Sequence, residues 1–485
     1  GSVDVETEDV IYDSRKAAPG KVFVAMKGIR VDGHSFIPQV LKAGVRVLVT
    51  ERPVEEELKN SGLSEDELKQ VTVVMVEEGR HALALLSAAR FDHPAKKLVM
   101  IGVTGTKGKT TTTHMIRAIL LAAGKKVGMI GTTGTVIGDV VTPTLNTTPE
   151  SYELHQAFAQ MVEAGCEYAV MEVSSQGIKM HRTDGLYFNY AIFTNISPDH
   201  IGPGEHADFE EYLYYKTRLL NMCGIGLVNK DDEHAPQIIK AANCELYTYS
   251  EESKEADFVA SDIRYVSQPD FVGTEFHISG KYDMEVRLGI PGLFNVVNAL
   301  AAVSVCSFLG LDQARISHAL ENIRVNGRME IVYTSERCTV LVDYAHNAVS
   351  MESLLSTLRD YKPKRLVCVF GCGGNRSKDR RYSMGEIGGK MADLSIITAD
   401  NSRYEKVEDI IADIRGSIEK TGGKFIEIPD RREAIRYSIL HAQPGDMVAV
   451  IGKGHEDYQE INGVRHHFLD REVIEETVKE LGEKA

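Results

Sequence analysis

The sequence predicts an α/β protein of three domains, with a central P-loop-type parallel-sheet domain and a C-terminal Rossmann-like α/β domain. A glycine-rich turn, Thr104-Gly-Thr-Lys-Gly-Lys-Thr110, stands between an apolar run at 98–103 and an amphipathic run at 110–123. This is the strand–turn–helix order of a phosphate-binding loop. Apolar runs that end in polar clusters recur as far as residue 451, as in parallel sheets whose strands alternate with helices. At 485 residues the chain has room for about three domains, which we expect at 1–96, 97–326 and 327–485.

The glycine-rich turn has the composition of a phosphate cradle. Gly105 and Gly108 allow a tight turn in which amide N–H groups point at phosphate oxygens, and the following helix adds its N-terminal partial charge. Lys109 supplies a cation for the β- and γ-phosphates, and the hydroxyl of Thr110 is a ligand for magnesium. The general Walker pattern would place glycine at 103, where Val103 stands, so only the shorter pattern holds. A glycine turn without a ligand is the alternative, disfavoured because Gly-Lys-Thr opens a helix directly after a strand. The predicted nucleotide-binding residues of this segment are Thr104, Gly105, Thr106, Lys107, Gly108, Lys109, Thr110 and Thr111.

The segment before this turn reads as a small α/β unit. Runs at 22–25 and 45–49 are typical of strands, and polar stretches occupy 13–20 and 31–35. These stretches form either a pair of ligand-binding loops or ordinary turns, and without context neither interpretation is favoured. The stretch 91–97 is expected to be a linker, since its proline ends the preceding helix.

Polar side chains follow several strands of the predicted central sheet. Apolar runs at 168–173 and 190–194 lead into serines, asparagine and the Asp199–His200 pair. Ligands bind beyond the carboxyl ends of strands in open parallel sheets, so one site is expected at this edge. Glu172 is an acid within an apolar strand, and a buried carboxylate needs a cation, either magnesium or a salt-bridge partner. His200, beside an aspartate, is favoured as part of a metal shell over a structural histidine.

The strand–helix alternation restarts after residue 327. Runs at 338–342, 365–370, 394–398 and 447–451 predict a second parallel sheet, again with polar residues at the strand ends. Two α/β domains with facing edges predict a cleft that closes on substrate.

Composition excludes several classes of function. The chain is 43% hydrophobic and 26% charged, with a net charge of −15, which argues against a nucleic-acid or acidic-membrane partner. No apolar run approaches the roughly 18 residues of a membrane span, so we expect no membrane insertion. Seven cysteines without a C-x-x-C pair, and no signal peptide, predict a reduced, cytoplasmic protein. No Ser-His-Asp arrangement or zinc spacing stands out.

Motifs along nearly the whole chain resemble one enzyme family, the Mur ligases. Those of the general family are Thr104-Gly-Thr-Lys-Gly-Lys-Thr-Thr111, Glu172-Val-Ser-Ser175, Phe193-Thr-Asn-Ile-Ser-Pro-Asp-His200, Pro291-Gly-Leu-Phe-Asn-Val-Val-Asn298, Asn326-Gly-Arg-Met-Glu330 and Asp343-Tyr-Ala-His346. Three more are similar to the MurE type, namely Asp13-Ser-Arg15, Asp400-Asn-Ser-Arg403 and Gly452-Lys-Gly-His-Glu456.

The resemblance implies an ATP-dependent amide ligase of peptidoglycan precursor synthesis. Its three domains would hold UDP, ATP and an amino acid, in that order. ATP and Mg²⁺ would activate the D-glutamate γ-carboxyl of UDP-MurNAc-L-Ala-D-Glu as an acyl phosphate, which the amine of a diamino acid attacks. The resemblance also implies a cytoplasmic enzyme, and we expect a monomer.

The resemblance further implies roles for individual residues. Catalytic residues would be Lys109, Glu172, His200 and Lys216. The magnesium shell would be Thr110, Glu172, His200 and Lys216, the last as a carbamate, although from sequence alone Lys216 reads as a surface lysine on a helix. Further ATP contacts would be Asn295, Asn298, Arg328 and Asp343. Ser14 and Arg15, with His34 near them, would bind UDP, and the muramoyl-dipeptide would contact Asn146, Thr147, Thr148, Ser174 and Arg182. The amino acid would meet Arg381, Asp400, Asn401, Arg403, Gly452 and Glu456.

Some stretches depart from the family pattern. The usual D-H-L-D-x-H-G stretch is Asp199-His-Ile-Gly-Pro-Gly-Glu-His206, Val-Pro-Gly-Arg is Val325-Asn-Gly-Arg328, and Lys-Arg-Pro is Arg380-Arg-Tyr382. The family's first helix before Asp13 is largely missing, which leaves part of the uracil pocket unassigned.

The amino acid and two rival functions stay open at this point. Asp400-Asn-Ser-Arg403 keeps the asparagine and arginine of the D-N-P-R pattern of diaminopimelate-adding members, so meso-diaminopimelate is favoured over L-lysine or another diamino acid. A folylpolyglutamate-synthetase-like ligase shares the core chemistry but lacks the first domain and the Gly452–Glu456 segment. A non-catalytic nucleotide-binding regulator is disfavoured because Lys109, Glu172, His200 and Lys216 are all retained.

Overall fold

The computed structural model describes residues 4–28 and 31–482. They divide into two compact units, one running up to Phe258 and including Ala301–Leu311, the other formed by Val259–Leu300 and the chain from Asp312 onward. The domain boundaries expected at residues 96 and 326 remain predictions.

The first sheet of unit 1 has four parallel strands in the order β1-β2-β3-β4. They are β1 (Asp9–Ile11), β2 (Lys21–Val24), β3 (Val47–Thr50) and β4 (Thr72–Met75), accompanied by helices α1 (Ile37–Lys42), α2 (Glu55–Lys59), α3 (Glu65–Lys69) and α4 (Gly79–Arg90). Phe23 and Leu48 pack with Ile37 in one apolar cluster, which explains the apolar runs at β2 and β3. The expected linker contains a short 3₁₀ helix, Pro94–Lys97.

The second sheet of unit 1 is built around the strand that precedes the glycine turn. Its strands are β5 (Val99–Thr104), β6 (Val127–Gly131), β7 (Gly134–Ile137), β8 (Val140–Thr142), β9 (Tyr168–Glu172), β10 (Phe188–Phe193), β11 (Cys223–Asn229) and β12 (Glu245–Ser250). Within this unit the order is β12-β11-β10-β5-β9-β6-β7-β8, and only β7 and β8 run antiparallel to their neighbours. The helices are α5 (Lys109–Ala122), α6 (Ser151–Glu163), α7 (Ser175–Lys179), α8 (Phe209–Thr217) and α9 (Ala235–Ala241). Because β5 lies between β9 and β10, the polar residues that follow these three strands share one sheet edge.

Unit 2 contains a meander followed by a doubly wound sheet. The meander strands are β13 (Phe258–Gln268), β14 (Phe271–Gly280) and β15 (Met284–Leu288). Helices α10 (Leu293–Ser307) and α11 (Gln313–Glu321) follow, and the last part of α10 lies in unit 1. The second part comprises β16 (Glu330–Thr334), β17 (Cys338–Asp343), α12 (Ala348–Asp360), β18 (Arg365–Phe370), α13 (Lys378–Met391), β19 (Leu394–Ile397), α14 (Val407–Thr421), β20 (Phe425–Glu427), α15 (Arg431–Leu440), β21 (Asp446–Ile451), β22 (Tyr458–Ile461), β23 (Val464–His467) and α16 (Asp470–Glu480). The main sheet has the order β16-β17-β21-β18-β19-β20, with β16 alone antiparallel, which confirms the predicted Rossmann-like domain.

The four strands predicted in this sheet are present within one residue of their expected bounds. They are buried, as parallel strands covered by helices on both faces must be. Among residues 4–28 and 31–482, no helix is long and apolar enough to cross a membrane.

Candidate active site

The predicted phosphate cradle forms between β5 and α5. β5 ends at Thr104, α5 begins at Lys109, and the turn between them contains Gly105 with φ 144° and Gly108 with φ 86°. A Cβ atom at Gly105 would lie 1.9 Å from the Thr194 hydroxyl oxygen. Both positive φ and close approach therefore require glycine at position 105.

The end of β10 fastens this turn, a role that the sequence analysis did not assign. The amide of Thr106 donates to the carbonyl of Asn195 at 2.8 Å, and the amide of Lys107 donates to the Asn195 side chain at 2.9 Å. The Thr194 hydroxyl donates to the Lys107 carbonyl at 2.6 Å. The expectation that ligands bind beyond the carboxyl ends of strands pointed to Thr194 and Asn195, but only the sheet order reveals that β10 is the neighbour of β5.

Two lysines converge on a single carbonyl of the cradle. Nζ of Lys109 donates to the Gly105 carbonyl at 2.8 Å, and Nζ of Lys216 donates to the same oxygen at 2.7 Å. Lys216 is only 2% exposed, so the reading of a surface lysine, made from the sequence alone, is wrong. It projects from α8 into the space below the cradle, with its amine 4.6 Å from the Tyr212 ring centre. Burial, and secondarily the charge of Lys109, holds the pKa of Lys216 well below the ordinary lysine value.

Glu172 provides a buried carboxylate beside the start of α5. It is 1% exposed, and its Oε1 accepts the Thr110 hydroxyl at 3.0 Å and the Thr132 amide at 2.9 Å. Within the described ranges it forms no ion pair with a basic side chain, so the salt bridge considered from the sequence is absent there. A Cβ at Gly131 would lie 2.3 Å from Oε1, which explains the glycine that ends β6. Hydroxyl and carboxylate oxygens around an uncompensated negative charge fit Mg²⁺.

Thr132 is a second residue that the sequence analysis missed. Besides its amide contact, its hydroxyl lies 3.3 Å from Oε2 of Glu172 and 3.1 Å from the hydroxyl of Thr147. Thr132 directly follows the buried strand β6, as the recognised polar clusters follow their strands, so the available signal was again the strand end.

His200 lies in an exposed turn rather than against the carboxylate. Its Nδ1 is 3.1 Å from Glu205, and in the described part of the chain no hydrogen bond or ion pair joins it to Thr110 or Glu172. His206 from the same motif is fully buried instead, with Nε2 2.9 Å from the Ser175 hydroxyl. Burial and the nearby Lys179 lower the pKa of His206. The metal role of His200 stays a prediction.

The residues predicted for the muramoyl-dipeptide surround the end of β9. Thr148 is buried, and its hydroxyl donates to the carbonyl of Glu172 at 3.0 Å while accepting the Ser174 amide at 2.9 Å. Arg182 donates to Glu150 at 2.9 Å and to the Thr148 carbonyl at 3.0 Å. The remaining two predicted residues of this group, Asn146 and Thr147, are exposed and half-buried. These contacts hold Thr148 and Ser174 at the end of β9, and the contact of this group with the muramoyl-dipeptide stays a prediction.

The predicted UDP residues occupy two turns of the first sheet. Ser14 and Arg15 form a short 3₁₀ helix capped by Asp13, and the exposed Arg15 pairs with that carboxylate at 2.7 Å. His34 is 1% exposed and has both ring nitrogens engaged, with Nδ1 2.6 Å from Asp32 and Nε2 accepting a backbone amide at 3.0 Å. His34 thus shapes its loop in this structure, and its contact with UDP stays a prediction.

Unit 2 brings the other predicted nucleotide residues into two groups. Asn295 and Asn298 are buried neighbours on α10, with an amide–amide hydrogen bond of 3.2 Å. Asp343 ends β17, and its Oδ2 accepts the amide of the residue after Arg328 at 2.8 Å. Burial raises the pKa of Asp343, an effect that the cation of Arg328 opposes.

The predicted amino-acid residues cluster at the carboxyl ends of β19 and β21. Asn401 donates to Glu456 at 2.9 Å, and the buried Lys453 donates to both of them at 3.2 and 3.3 Å. Gly452 has φ 113°, and a Cβ there would lie 2.6 Å from the carboxylate of Asp400. Lys453 belongs to this group although the sequence analysis did not select it.

The two arginines predicted for this site differ in their contacts. Arg403 has φ 51°, is partly exposed, donates to the Gly374 carbonyl at 2.7 Å and lies 3.6 Å from Glu460. Arg381 is 1% exposed and is held by Glu405 at 2.7 Å and Asp413 at 2.9 Å. Both carboxylates offset its charge, and the contact of Arg381 with the amino acid stays a prediction.

Comparison with known proteins agrees with the motifs. Three family models match consecutive parts of the chain: "Mur ligase family, catalytic domain" at 7–91, "Mur ligase middle domain" at 103–306 and "Mur ligase, glutamate ligase domain" at 327–454. The UDP-N-acetylmuramoyl-L-alanyl-D-glutamate–2,6-diaminopimelate ligase of Caldanaerobacter subterraneus is 39% identical over 99% of this chain and 96% of its own length. A solved structure of a ligase with the same name has a TM-score of 0.75 at 30% identity, covering 99% of this chain and 96% of that one. Folylpolyglutamate synthase from Mycobacterium tuberculosis shares the fold with a TM-score of 0.58 at 17% identity, over 77% of this chain and 92% of its own. The chain therefore belongs to the Mur ligase family, as a member of the MurE type.

Proposed function

We propose that this enzyme is the ATP-dependent ligase that joins a diamino acid, meso-diaminopimelate, to the D-glutamate γ-carboxyl of UDP-MurNAc-L-Ala-D-Glu. The observation that carries this proposal is the convergence of two lysine amines on the Gly105 carbonyl, in the turn that precedes the Thr110–Glu172 pair. The named relative is matched over nearly its whole length, which supports the same substrates here. We expect the enzyme to act in the cytoplasm as a monomer.

The chemistry of the reaction explains why such a site is needed. A carboxylate resists attack by an amine until one oxygen becomes a good leaving group. A γ-carboxylate oxygen attacks the γ-phosphorus of ATP, ADP departs, and the amine then attacks the acyl carbon and expels phosphate. Catalysis consists mainly of positioning and charge neutralisation. The cradle amides and Lys109 supply both for the phosphates.

Mg²⁺ is the metal that suits the oxygen donors of Thr110 and Glu172. When bound, it neutralises charge on the phosphate oxygens during transfer. The buried Glu172 carboxylate, which lacks a basic partner among the described residues, would hold it together with the hydroxyl of Thr110. The Thr132 amide keeps that carboxylate oriented.

Lys216 is proposed to work as a carbamate. Burial lowers the pKa of Lys216 and so favours the neutral amine, which is the form that attacks carbon dioxide. The addition forms an N–C bond, releases a proton and turns the side chain into an anion. That anion would face the ammonium of Lys109, and it would support a second magnesium ion.

The choice of meso-diaminopimelate rests on Arg403 and the Asn401–Glu456 pair. The guanidinium of Arg403 is partly exposed, and its ion-pair partner among the described residues is Glu460 at 3.6 Å. It therefore retains hydrogen-bonding capacity for the distal carboxylate of the substrate. Glu456 offers an anion to the distal ammonium. L-Lysine lacks that second carboxylate and would leave Arg403 without this partner.

Phosphate release is the test of the proposed function. We expect release that requires ATP, UDP-MurNAc-L-Ala-D-Glu and meso-diaminopimelate together, with Lys109→Ala lowering turnover by about three orders of magnitude because a cation facing phosphate is lost. Release with a folate and glutamate instead would favour the folylpolyglutamate-synthetase alternative. A folded Lys109→Ala variant with normal turnover would contradict the nucleotide assignment.

A further inference from the structure

A cluster of two histidines and an aspartate lies outside every group assigned to the reaction. His81 projects from α4, whereas His181 and Asp184 belong to the loop between α7 and β10. Nδ1 of His81 lies 2.6 Å from Oδ2 of Asp184, and Nδ1 of His181 lies 2.8 Å from the same oxygen. The ligating atoms of all three side chains lie within 4.8 Å of one another.

We propose that His81, His181 and Asp184 bind a divalent transition-metal ion, with Zn²⁺ as the ion that suits them best. Two imidazole nitrogens and one carboxylate oxygen are a donor set typical of zinc, with water completing the coordination. Imidazole donors disfavour Mg²⁺, so this site differs in chemistry from the Thr110–Glu172 pair.

The observed distances are compatible with entry of an ion. Bonds of about 2.0–2.1 Å in a tetrahedral site place ligand atoms roughly 3.3 Å apart. Each histidine nitrogen therefore needs to move away from Asp184 by less than about 1 Å. The ligating atoms of the two histidines, which lie within 4.8 Å of each other, need to approach by no more than about 1.5 Å. The side chains of His81 and His181 are 51% and 38% exposed, which leaves both rings room to move and gives an ion access from solvent.

Metal binding requires only a shift of protons on the rings. In neutral imidazoles that donate to Asp184, each Nδ1 carries the hydrogen. Zn²⁺ takes the Nδ1 lone pairs, so each proton moves through solvent to Nε2 of the same ring. No oxidant or reductant is involved, and the ionised Asp184 offsets one positive charge of the ion.

The location gives the ion a structural consequence. α4 packs beside the first sheet, and the loop of His181 also contains Arg182, which donates to Glu150. Arg80, next to His81, lies 3.2 Å from the same glutamate. A bound ion would fix α4 to this loop and thereby hold the two arginines around Glu150.

Zinc titration of the metal-free full-length protein tests the proposal. We expect calorimetry to detect one Zn²⁺ per chain that His81→Ala and Asp184→Asn each weaken by at least about tenfold, whereas His466→Ala, an exposed histidine on β23, has no effect. Co²⁺ should give the visible absorption of low-coordinate nitrogen and oxygen ligation in the wild type only. Zn²⁺ should also raise the Tm of the wild type and not that of His81→Ala.

Two results would overturn the site. One is the absence of measurable Zn²⁺ binding, which would mean that Asp184 only accepts hydrogen bonds from the two histidines. The other is binding that both variants retain unchanged, since the ion would then be held elsewhere, for example by the seven cysteines. Far-UV circular dichroism of both variants establishes that they are folded.

Discussion

Replacing Lys216 is the most direct test of how the site works. Lys216→Met keeps the length and the apolar stem of the side chain but removes the nitrogen that contacts the Gly105 carbonyl at 2.7 Å. Lys109 continues to donate to that carbonyl at 2.8 Å, so the cradle should keep its shape. Any loss of activity then reports on the chemistry of the amine and not on collapse of the loop.

Lys216→Met should cost at most about 1 kcal/mol of stability, which is less than the catalytic contribution expected of the amine. The lost hydrogen bond is worth about 1 kcal/mol, and removing a buried amine recovers part of this. Lys216→Ala also removes three buried methylene groups, at about 0.8 kcal/mol each, and leaves a channel. An electrostatic group of an active site contributes about 10²–10³ in kcat, or about 2.7–4 kcal/mol. Both variants should therefore fold and lose most of their turnover.

Rescue and carbon-13 labelling separate a carbamate from a plain lysine. A short carboxylic acid should restore part of the activity of Lys216→Ala, where it can occupy the channel, and should not restore that of Lys216→Met, where the stem fills it. Wild-type protein in labelled bicarbonate should show one carbamate resonance that both variants lack. A fully active Lys216→Met protein, or a wild type without the resonance, would refute the reasoning.

Three further predictions concern other residues. His155 is 2% exposed, both of its ring nitrogens lack a hydrogen-bond partner among the described residues, and burial lowers its pKa to about 4. The free energy of unfolding should therefore fall by about 3 kcal/mol as the pH drops from about 6.5 to 4. His155→Leu should flatten this pH dependence in urea titrations. Asp470→Asn leaves the charge of the fully buried Arg431 uncompensated and should lower the free energy of unfolding by about 3–5 kcal/mol. As a control, Glu476→Gln disrupts the exposed pair of Glu476 with Arg432 and should cost less than about 1 kcal/mol. Arg403→Ala should lower the kcat/KM preference for meso-diaminopimelate over L-lysine by about 10- to 100-fold, and unchanged selectivity would remove Arg403 from substrate recognition.

Periodicity and turn chemistry were enough to predict the local structure of the cradle. β5 and α5 lie within one residue of the runs read at 98–103 and 110–123, because an apolar run followed by Gly-x-x-Gly-Lys has few alternatives. Glu172 was also identifiable, since an acid inside an apolar strand has to be compensated.

The sequence could not reveal which strands are neighbours. Thr132 and Asn195 entered the site only when the sheet order placed β6 and β10 near β5. The cluster of His81, His181 and Asp184 was likewise hidden from the sequence, because His81 and His181 are a hundred residues apart and show no metal-ligand spacing. Lys216 looked exposed because α8 carries many polar residues, and its burial follows from tertiary packing under the cradle.

The charge balance of unit 1 links these observations. The amines of Lys109 and Lys216 both contact the Gly105 carbonyl, and burial holds the pKa of Lys216 well below the ordinary lysine value. A second ammonium there would repel the first at close range in a poorly solvated space, whereas a carbamate would attract it. Such a carbamate, together with Glu172, would give two buried negative charges that only cations can compensate. The low pKa of Lys216 thus links the buried position of this side chain to the carbamate proposed for it.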